Sequence, residues 1–182
     1  HTRCVWDFDK APWRDRPVVR CQLEVTLADG TKTIVATDAT WRVSTGPIVF
    51  DSIRNGETYD ARLEKADWGA PEYNDADWPA AQIDAGPKGE IRAQMMPAIK
   101  VTGTLKPAKL AEPKPGVYVF DSGQNMTGWA RLHVSGPAGT QIVMRYGERL
   151  NPDGTLDQKE IGQHIKTGKP QTDTYILKGK GA

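Results

Sequence analysis

The stretch from residue 18 to residue 36 constrains the fold most, because its side chains alternate between apolar and polar and the chain then turns back. In residues 18–27 the apolar positions are Val19, Cys21, Leu23, Val25 and Leu27. A period of two is typical of a half-buried β-strand. Ala28-Asp29-Gly30 supplies a hairpin turn, and residues 32–36 form the predicted return strand. Because no window shows helical periodicity over three turns, the sequence predicts an all-β fold.

The rest of the chain continues this pattern of short strands and turns. Further strands are predicted at 48–50, 98–105, 117–119, 132–134 and 142–144, with another near the end of the chain. Residues 136–139 (GPAG) and 151–154 (NPDG) carry the glycine, proline and asparagine that tight turns require. Residues 74–78 (NDADW) are predicted to form a short helical or turn segment.

Residues 106–115 (KPAKLAEPKP) interrupt the pattern with three prolines and three lysines. Each proline fixes φ and removes a backbone donor, so this segment is predicted to be an extended linker rather than a strand. The predicted domains are therefore 1–105 and 116–182, with the linker over 106–115.

Composition excludes several classes of function. Lysine and arginine total 24 against 23 acidic residues, a formal net charge of +1, which gives no electrostatic basis for binding nucleic acid or an anionic membrane surface. No apolar run approaches the roughly 20 residues that a membrane helix requires. Cys4 and Cys21 are more consistent with free or small core residues than with a disulfide. No pair of cysteines or histidines has zinc spacing, and no phosphate-binding loop occurs.

Two sets of motifs resemble one enzyme family, the bacterial α-L-rhamnosidases of glycoside hydrolase family 78. In the second half the pieces are Asp121-x-Gly123-Gln124-Asn125-x-x-Gly128-Trp129, Gly136-x-x-Gly139-Thr140, Tyr146-Gly147-Glu148-x-Leu150, Asn151-x-Asp153-Gly154 and Thr172-Asp173-x-Tyr175-x-Leu177-x-Gly179. In the first half they are Asp38-x-x-Trp41, Gly46-Pro47-Ile48, Gly56-Glu57-x-Tyr59-Asp60-Ala61-Arg62, Trp68 and Asn74-Asp75-x-x-Trp78. Their order and spacing match the family over nearly the whole chain.

The resemblance implies two truncated antiparallel β-sandwich modules of jelly-roll type, an N-terminal accessory module over 1–105 and a concanavalin-like module over 116–182. It implies an internal fragment of an enzyme that removes terminal rhamnose by inversion, with the catalytic acid and base in a downstream α/α barrel. The expected partners are rhamnose-containing glycans or glycosides and that barrel; nucleic acid and a membrane span are not expected. Calcium is possible in the parent's N-terminal module, and a secreted or periplasmic location is favoured over the cytoplasm.

Residues 56–62 are the first candidate site, because two carboxylates, a phenol and a guanidinium fall within seven residues. One interpretation makes Glu57, Asp60 and Arg62 ligands of sugar hydroxyls, since charged groups form short, directional hydrogen bonds. The other, which we favour, is a structural ion-pair and turn cluster, because carboxylates this close to an arginine more often fix a loop.

Residues 121–129 are the second candidate site. Gln124 and Asn125 could contact sugar hydroxyls while Trp129 stacks on an apolar sugar face. The favoured alternative is a glycine-dependent corner with Trp129 in the core, where its removal would cost about 3–5 kcal/mol. A carbohydrate-binding or lectin-like adhesion module without hydrolase activity is the competing function. It requires an exposed tryptophan, and the candidates are Trp6, Trp13, Trp68 and Trp129.

Overall fold

The computed structural model describes residues 17–86, 88–163, 165 and 169–179. Within this part of the chain there are ten strands, a 3-10 helix over Ala61–Leu63 and one four-residue α-helix, α1 (Lys159–Gly162). The strands are β1 (Gln22–Thr26), β2 (Lys32–Ala36), β3 (Ile48–Ser52), β4 (Gly56–Asp60), β5 (Lys109–Lys114), β6 (Val117–Asp121), β7 (Gln141–Arg145), β8 (Arg149–Leu150), β9 (Leu156–Asp157) and β10 (Thr172–Ile176). The prediction of an all-β fold is confirmed. None of the described helices is long and apolar enough to cross a membrane.

The described residues divide into two compact units. The hairpin unit contains the described residues of Ala11–Gly46 and Lys65–Gln94, and the sheet unit contains those of Pro47–Glu64 and Met95–Ala182. In the hairpin unit β1 and β2 pair antiparallel, with Leu23 opposite Val35. Gly30 closes the turn at φ +85°. The hairpin predicted from alternation and turn residues is therefore confirmed.

The sheet unit is built on four strands in the order β3-β4-β10-β7. β3 pairs antiparallel with β4, and β7 pairs antiparallel with β10. The two central strands, β4 and β10, run parallel, with Thr58 opposite Thr174 and Tyr59 opposite Tyr175. Parallel strands require a long crossover, and here more than a hundred residues of sequence separate them.

The buried core of the described residues lies where the two central strands end. Ala61 directly follows β4 and Leu177 directly follows β10, and these are its buried apolar side chains. The buried polar residues Asn55 and Asp60 flank β4 at its two ends. Burial of apolar surface therefore depends on the β4–β10 pairing, which joins segments from both halves of the chain.

Two predicted turns are confirmed in the sheet unit. The Gly154 N–H donates to the Asn151 carbonyl at 2.9 Å, and the Thr140 N–H donates to the Pro137 carbonyl at 3.2 Å. Glycine at 154 adopts φ +79°, which favours glycine over residues that carry a Cβ.

The prediction that residues 106–115 contain no strand is wrong. β5 occupies Lys109–Lys114 and pairs antiparallel with β6. The register shifts between Ala111 and Lys114, and Pro113 lies inside this irregularity, where its missing N–H removes no regular ladder bond. The boundary between two domains at 106–115 stays a prediction. The four-stranded sheet contains strands from both sides of these residues.

Two other predicted strands are absent: neither 98–105 nor 132–134 forms one. The alternating apolar side chains of the first segment have no described strand beside them, and Ile99 is 98% exposed. Alternation identifies a segment that can pair, but a strand forms only where another backbone supplies the hydrogen bonds.

Candidate functional site

One face of the four-stranded sheet carries a cleft of about 510 Å³. Its walls contain three carboxylates and four aromatic rings, those of Asp51, Glu57, Asp173, Tyr59, Tyr146, Tyr175 and Trp129. Alternate residues of a strand face the same side, so Glu57 and Tyr59 of β4 reach this face together with Asp173 and Tyr175 of β10. The parallel register thus assembles the cleft from segments far apart in sequence.

A stacked pair of tyrosines forms part of the cleft. The rings of Tyr59 and Tyr175 lie 5.4 Å apart at an interplanar angle of 11°. The Tyr59 hydroxyl donates to Glu64 at 3.0 Å, and Glu64 also accepts from Lys178 at 2.6 Å. Burial, together with the neighbouring Glu64, raises the pKa of Tyr59 to about 12, so its hydroxyl stays a neutral hydrogen-bond donor.

The carboxylates of the cleft are close enough to affect one another. The Glu57 backbone N–H donates to the Asp173 carboxylate at 2.8 Å. Burial raises the pKa of the Glu57 side chain, and the negative charges of Asp51 and Asp173 raise it further. Burial and Asp173 likewise raise the pKa of Tyr146. Among the described residues that line the cleft there is no lysine, arginine or histidine.

The interpretation of Trp129 as a core residue is wrong. Its side chain is 71% exposed and lines the cleft next to Ala130. Residues 128–134 form no strand, so no sheet face carries this ring inward. Its removal leaves no cavity, and the expected loss of 3–5 kcal/mol does not apply.

The cluster predicted at 56–62 divides between two roles. Asp60 accepts from Arg62 at 2.9 Å (Nε) and 2.7 Å (Nη2), and from its backbone N–H at 3.1 Å. The hydrogen bonds from Arg62 lower the pKa of the buried Asp60. The hydrogen bond from the Arg62 backbone caps the 3-10 helix and the bidentate ion pair fixes the turn, as the structural interpretation describes. Glu57 alternates to the other face of β4 and lines the cleft.

The amides of Gln124 and Asn125 lie in the exposed loop after β6 and do not line the cleft. The Gly123 N–H donates to the Asp121 carboxylate at 2.8 Å, and Gly123 adopts φ +73°. The loop is therefore the glycine-dependent corner that the sequence indicated. Of the other candidate tryptophans, Trp68 is exposed, and Trp6 and Trp13 lie outside the described residues.

Sequence reasoning missed most of the cleft. Asp173 and Tyr175 were not identified as site residues, because their proximity to Glu57 follows only from the strand order of the sheet. Asp51 was not identified either, although it lies opposite Glu57 in the local β3–β4 pair. Thr172-Asp173-x-Tyr175 was a motif in the sequence, but nothing in the motif indicates a neighbour more than a hundred residues earlier.

The cleft has the chemistry of a site for a polyhydroxylated ligand. Carboxylates accept hydrogen bonds from hydroxyl groups, and aromatic rings provide flat apolar surfaces for C–H faces. Within the described part of the chain, no group of three His, Cys, Asp or Glu residues could hold a metal ion.

Replacing Glu57 with glutamine is expected to raise the melting temperature at pH 7 by roughly 1–3 °C. A raised folded-state pKa means that the folded chain binds the proton more tightly than the unfolded chain. Stability is then lost as pH rises from the unfolded pKa of Glu57 through its folded pKa. Thermal unfolding of both proteins from pH 4 to pH 8 should show the advantage of the variant shrinking towards acid pH.

The matched control for this measurement is Glu148→Gln, because Glu148 is exposed and lies outside the cleft. The control should have the same melting temperature as the unchanged chain at every pH. A lower melting temperature for Glu57→Gln at pH 7 would show that the Glu57 charge stabilises the fold.

Comparison with protein families gives two matches that together span most of the chain. Residues 1–103 match the α-L-rhamnosidase N-terminal domain. Residues 111–182 match the bacterial α-L-rhamnosidase concanavalin-like domain. These are the two modules that the sequence motifs indicated.

Individual relatives agree with the family matches. An α-L-rhamnosidase of Streptomyces avermitilis is 42% identical over 175 residues, covering 96% of this chain and 16% of that protein. An α-L-rhamnosidase of Formosa agariphila is 38% identical over 180 residues, covering 97% of this chain and 19% of that protein. The chain thus spans less than a fifth of the length of these relatives.

Solved structures show the same fold. The crystal structure of the Streptomyces avermitilis enzyme complexed with L-rhamnose has a TM-score of 0.79 at 43% identity, covering 89% of this chain and 15% of that one. The α-L-rhamnosidase of Aspergillus terreus has a TM-score of 0.78 at 32% identity, covering 88% of this chain and 18% of that one.

Proposed function

This chain belongs to the α-L-rhamnosidase family, and we propose that it is a non-catalytic β-sandwich region of an enzyme that hydrolyses terminal α-L-rhamnose from glycans or glycosides. The observation that carries this proposal is the pair of family matches, an N-terminal domain followed by a concanavalin-like domain. Relatives named α-L-rhamnosidase are five to six times longer than the part this chain matches, which leaves room for a separate catalytic domain.

The proposed role towards the rest of the enzyme is support of a catalytic α/α barrel. The β5–β6 hairpin exposes Leu110, Tyr118 and Phe120, large apolar side chains that gain free energy when a neighbouring domain covers them.

The proposed role towards carbohydrate is contact with a sugar at the cleft. Trp129 supplies an exposed ring, and Glu57 with Asp173 supplies acceptors for hydroxyl groups. Gln124 and Asn125 are proposed as outer contacts, because both amides are exposed in one loop. Asp60 and Arg62 are engaged with each other and are proposed to hold the fold rather than the sugar.

The division of labour predicts that this chain alone releases no nitrophenol from a nitrophenyl α-L-rhamnoside. Inverting hydrolysis requires two carboxyl groups across the scissile bond with space for a water molecule, and the proposal places both in the absent domain. The assay is run beside a complete α-L-rhamnosidase as the positive control. Turnover by the chain that is lost in Glu57→Gln would instead place catalysis in the cleft.

A further inference from the structure

The cleft carries charge of one sign only. Asp51, Glu57 and Asp173 line it, and no cationic side chain does so among the described residues. Two cations that follow the central strands form ion pairs, Lys178 with Glu64 at 2.6 Å and Arg62 with Asp60 at 2.7 Å. The lining of the cleft itself therefore presents negative charge without a positive side chain.

The charge matters for ligand choice because the cleft is concave and partly apolar. Charges of one sign in such a cleft focus a negative potential, which lowers the local concentration of anions. A neutral sugar meets no such penalty, since its hydroxyls donate to the carboxylates and its C–H face packs on Trp129 or the stacked Tyr59 and Tyr175 rings. The same carboxylates thus attract hydroxyl donors and repel carboxylates or sulfates.

We propose that this cleft accepts neutral rhamnose-containing sugars and excludes those in which the neighbouring residue is a uronate or carries sulfate, with Asp51 and Glu57 as the specificity-determining residues. The inference rests on the proposed sugar contact at the cleft. It assigns the cleft a selective role in addition to binding, because a cleft lined by three carboxylates and no cationic side chain disfavours a further negative charge.

The test compares two ligands that differ in one charge, an α-L-rhamnosyl-glucuronic acid and its methyl ester. Titration calorimetry with the full chain at pH 7 and low ionic strength should show the ester binding about tenfold or more tightly than the acid, since like charges repel strongly when little salt is present to screen them. Raising the salt concentration to about 1 M, where the Debye length is about 3 Å, should reduce this ratio in the unchanged chain.

Two variants assign the effect to residues. Asp51→Asn combined with Glu57→Gln removes two of the three charges and keeps shape and hydrogen-bonding atoms, so the ester-to-acid ratio should fall to about threefold or less. Glu148→Gln removes one charge outside the cleft and should leave the ratio unchanged. The salt series on the unchanged chain needs no variant and tests the same inference by itself.

The possible results distinguish failure of the proposed charge exclusion from failure of the proposed sugar contact. Equal affinity for acid and ester at low salt would overturn the exclusion and leave the sugar contact standing. Failure of the ester to bind would overturn the sugar contact, and with it this inference. A ratio that persists in the double variant and at high salt would show that the carboxylates do not set it.

Discussion

Gly56→Ala is expected to destabilise the sheet unit by about 3 kcal/mol or more. Gly56 has φ +98°, a conformation that costs a residue with a Cβ about 1–3 kcal/mol. A Cβ at this position would also overlap the Thr172 carbonyl and the Asp173 carboxylate of β10. Because the nearest group is backbone, relief requires the two central strands to separate.

Hydrogen exchange measures this loss where it occurs. The amides of β4, β7 and β10 should exchange faster in Gly56→Ala, because these strands share one sheet. Gly30→Ala is the matched control, since Gly30 has φ +85° but a Cβ there would meet nothing within 4 Å. The control should cost about 1 kcal/mol, confined to the β1–β2 hairpin. Equal losses in the two variants would mean that the close approach of β4 and β10 is unimportant.

Trp129→Ala is expected to weaken glycan binding by roughly 30-fold and to leave stability almost unchanged. Trp129 gives the cleft an exposed contact surface, and a tryptophan that acts as a binding hot spot costs about 2 kcal/mol or more when it is truncated. Stability should change by less than about 0.5 kcal/mol, because no buried volume is removed.

Calorimetry with a neutral rhamnose-containing oligosaccharide and urea unfolding measure the two effects separately. Trp68→Ala is the control, since Trp68 is 68% exposed but lies in the hairpin unit, outside the cleft. It should change neither quantity. A Trp129→Ala protein that unfolds more easily by 3 kcal/mol and binds sugar normally would restore the core interpretation.

The parts of the fold that could be predicted are those determined by local sequence. The β1–β2 hairpin follows from alternation around Asp29-Gly30, and the Asn151–Gly154 turn from its proline and glycine. Both depend on residues a few positions apart. The strand in 109–114 could not be predicted, since it forms despite Pro113 by pairing with β6 through an irregular register.

The candidate site was predictable only in part. Glu57 and Trp129 belong to motifs that the composition of the chain makes conspicuous. Asp51 is the partner of Glu57 in the local β3–β4 pair, whereas Asp173 becomes its neighbour only through the order β3-β4-β10-β7. The error on Trp129 has the same origin, because a ring next to an apolar segment is buried only if that segment joins a sheet. The pairing of strands that are distant in sequence therefore determines where Asp173 lies, and the local sequence pattern does not show it.

The parallel pairing of β4 with β10 also determines which segments of the sequence are expected to change together in evolution. The two family domains meet between residues 103 and 111, so that point looks suitable for exchanging one domain between relatives. In a chimaera exchanged there, Tyr59 and its stacking partner Tyr175 would come from different parents. The same would hold for the ion pair of Glu64 with Lys178. Sequence changes in 47–64 and 172–178 are expected to be inherited together, and a viable chimaera must carry both segments from one parent.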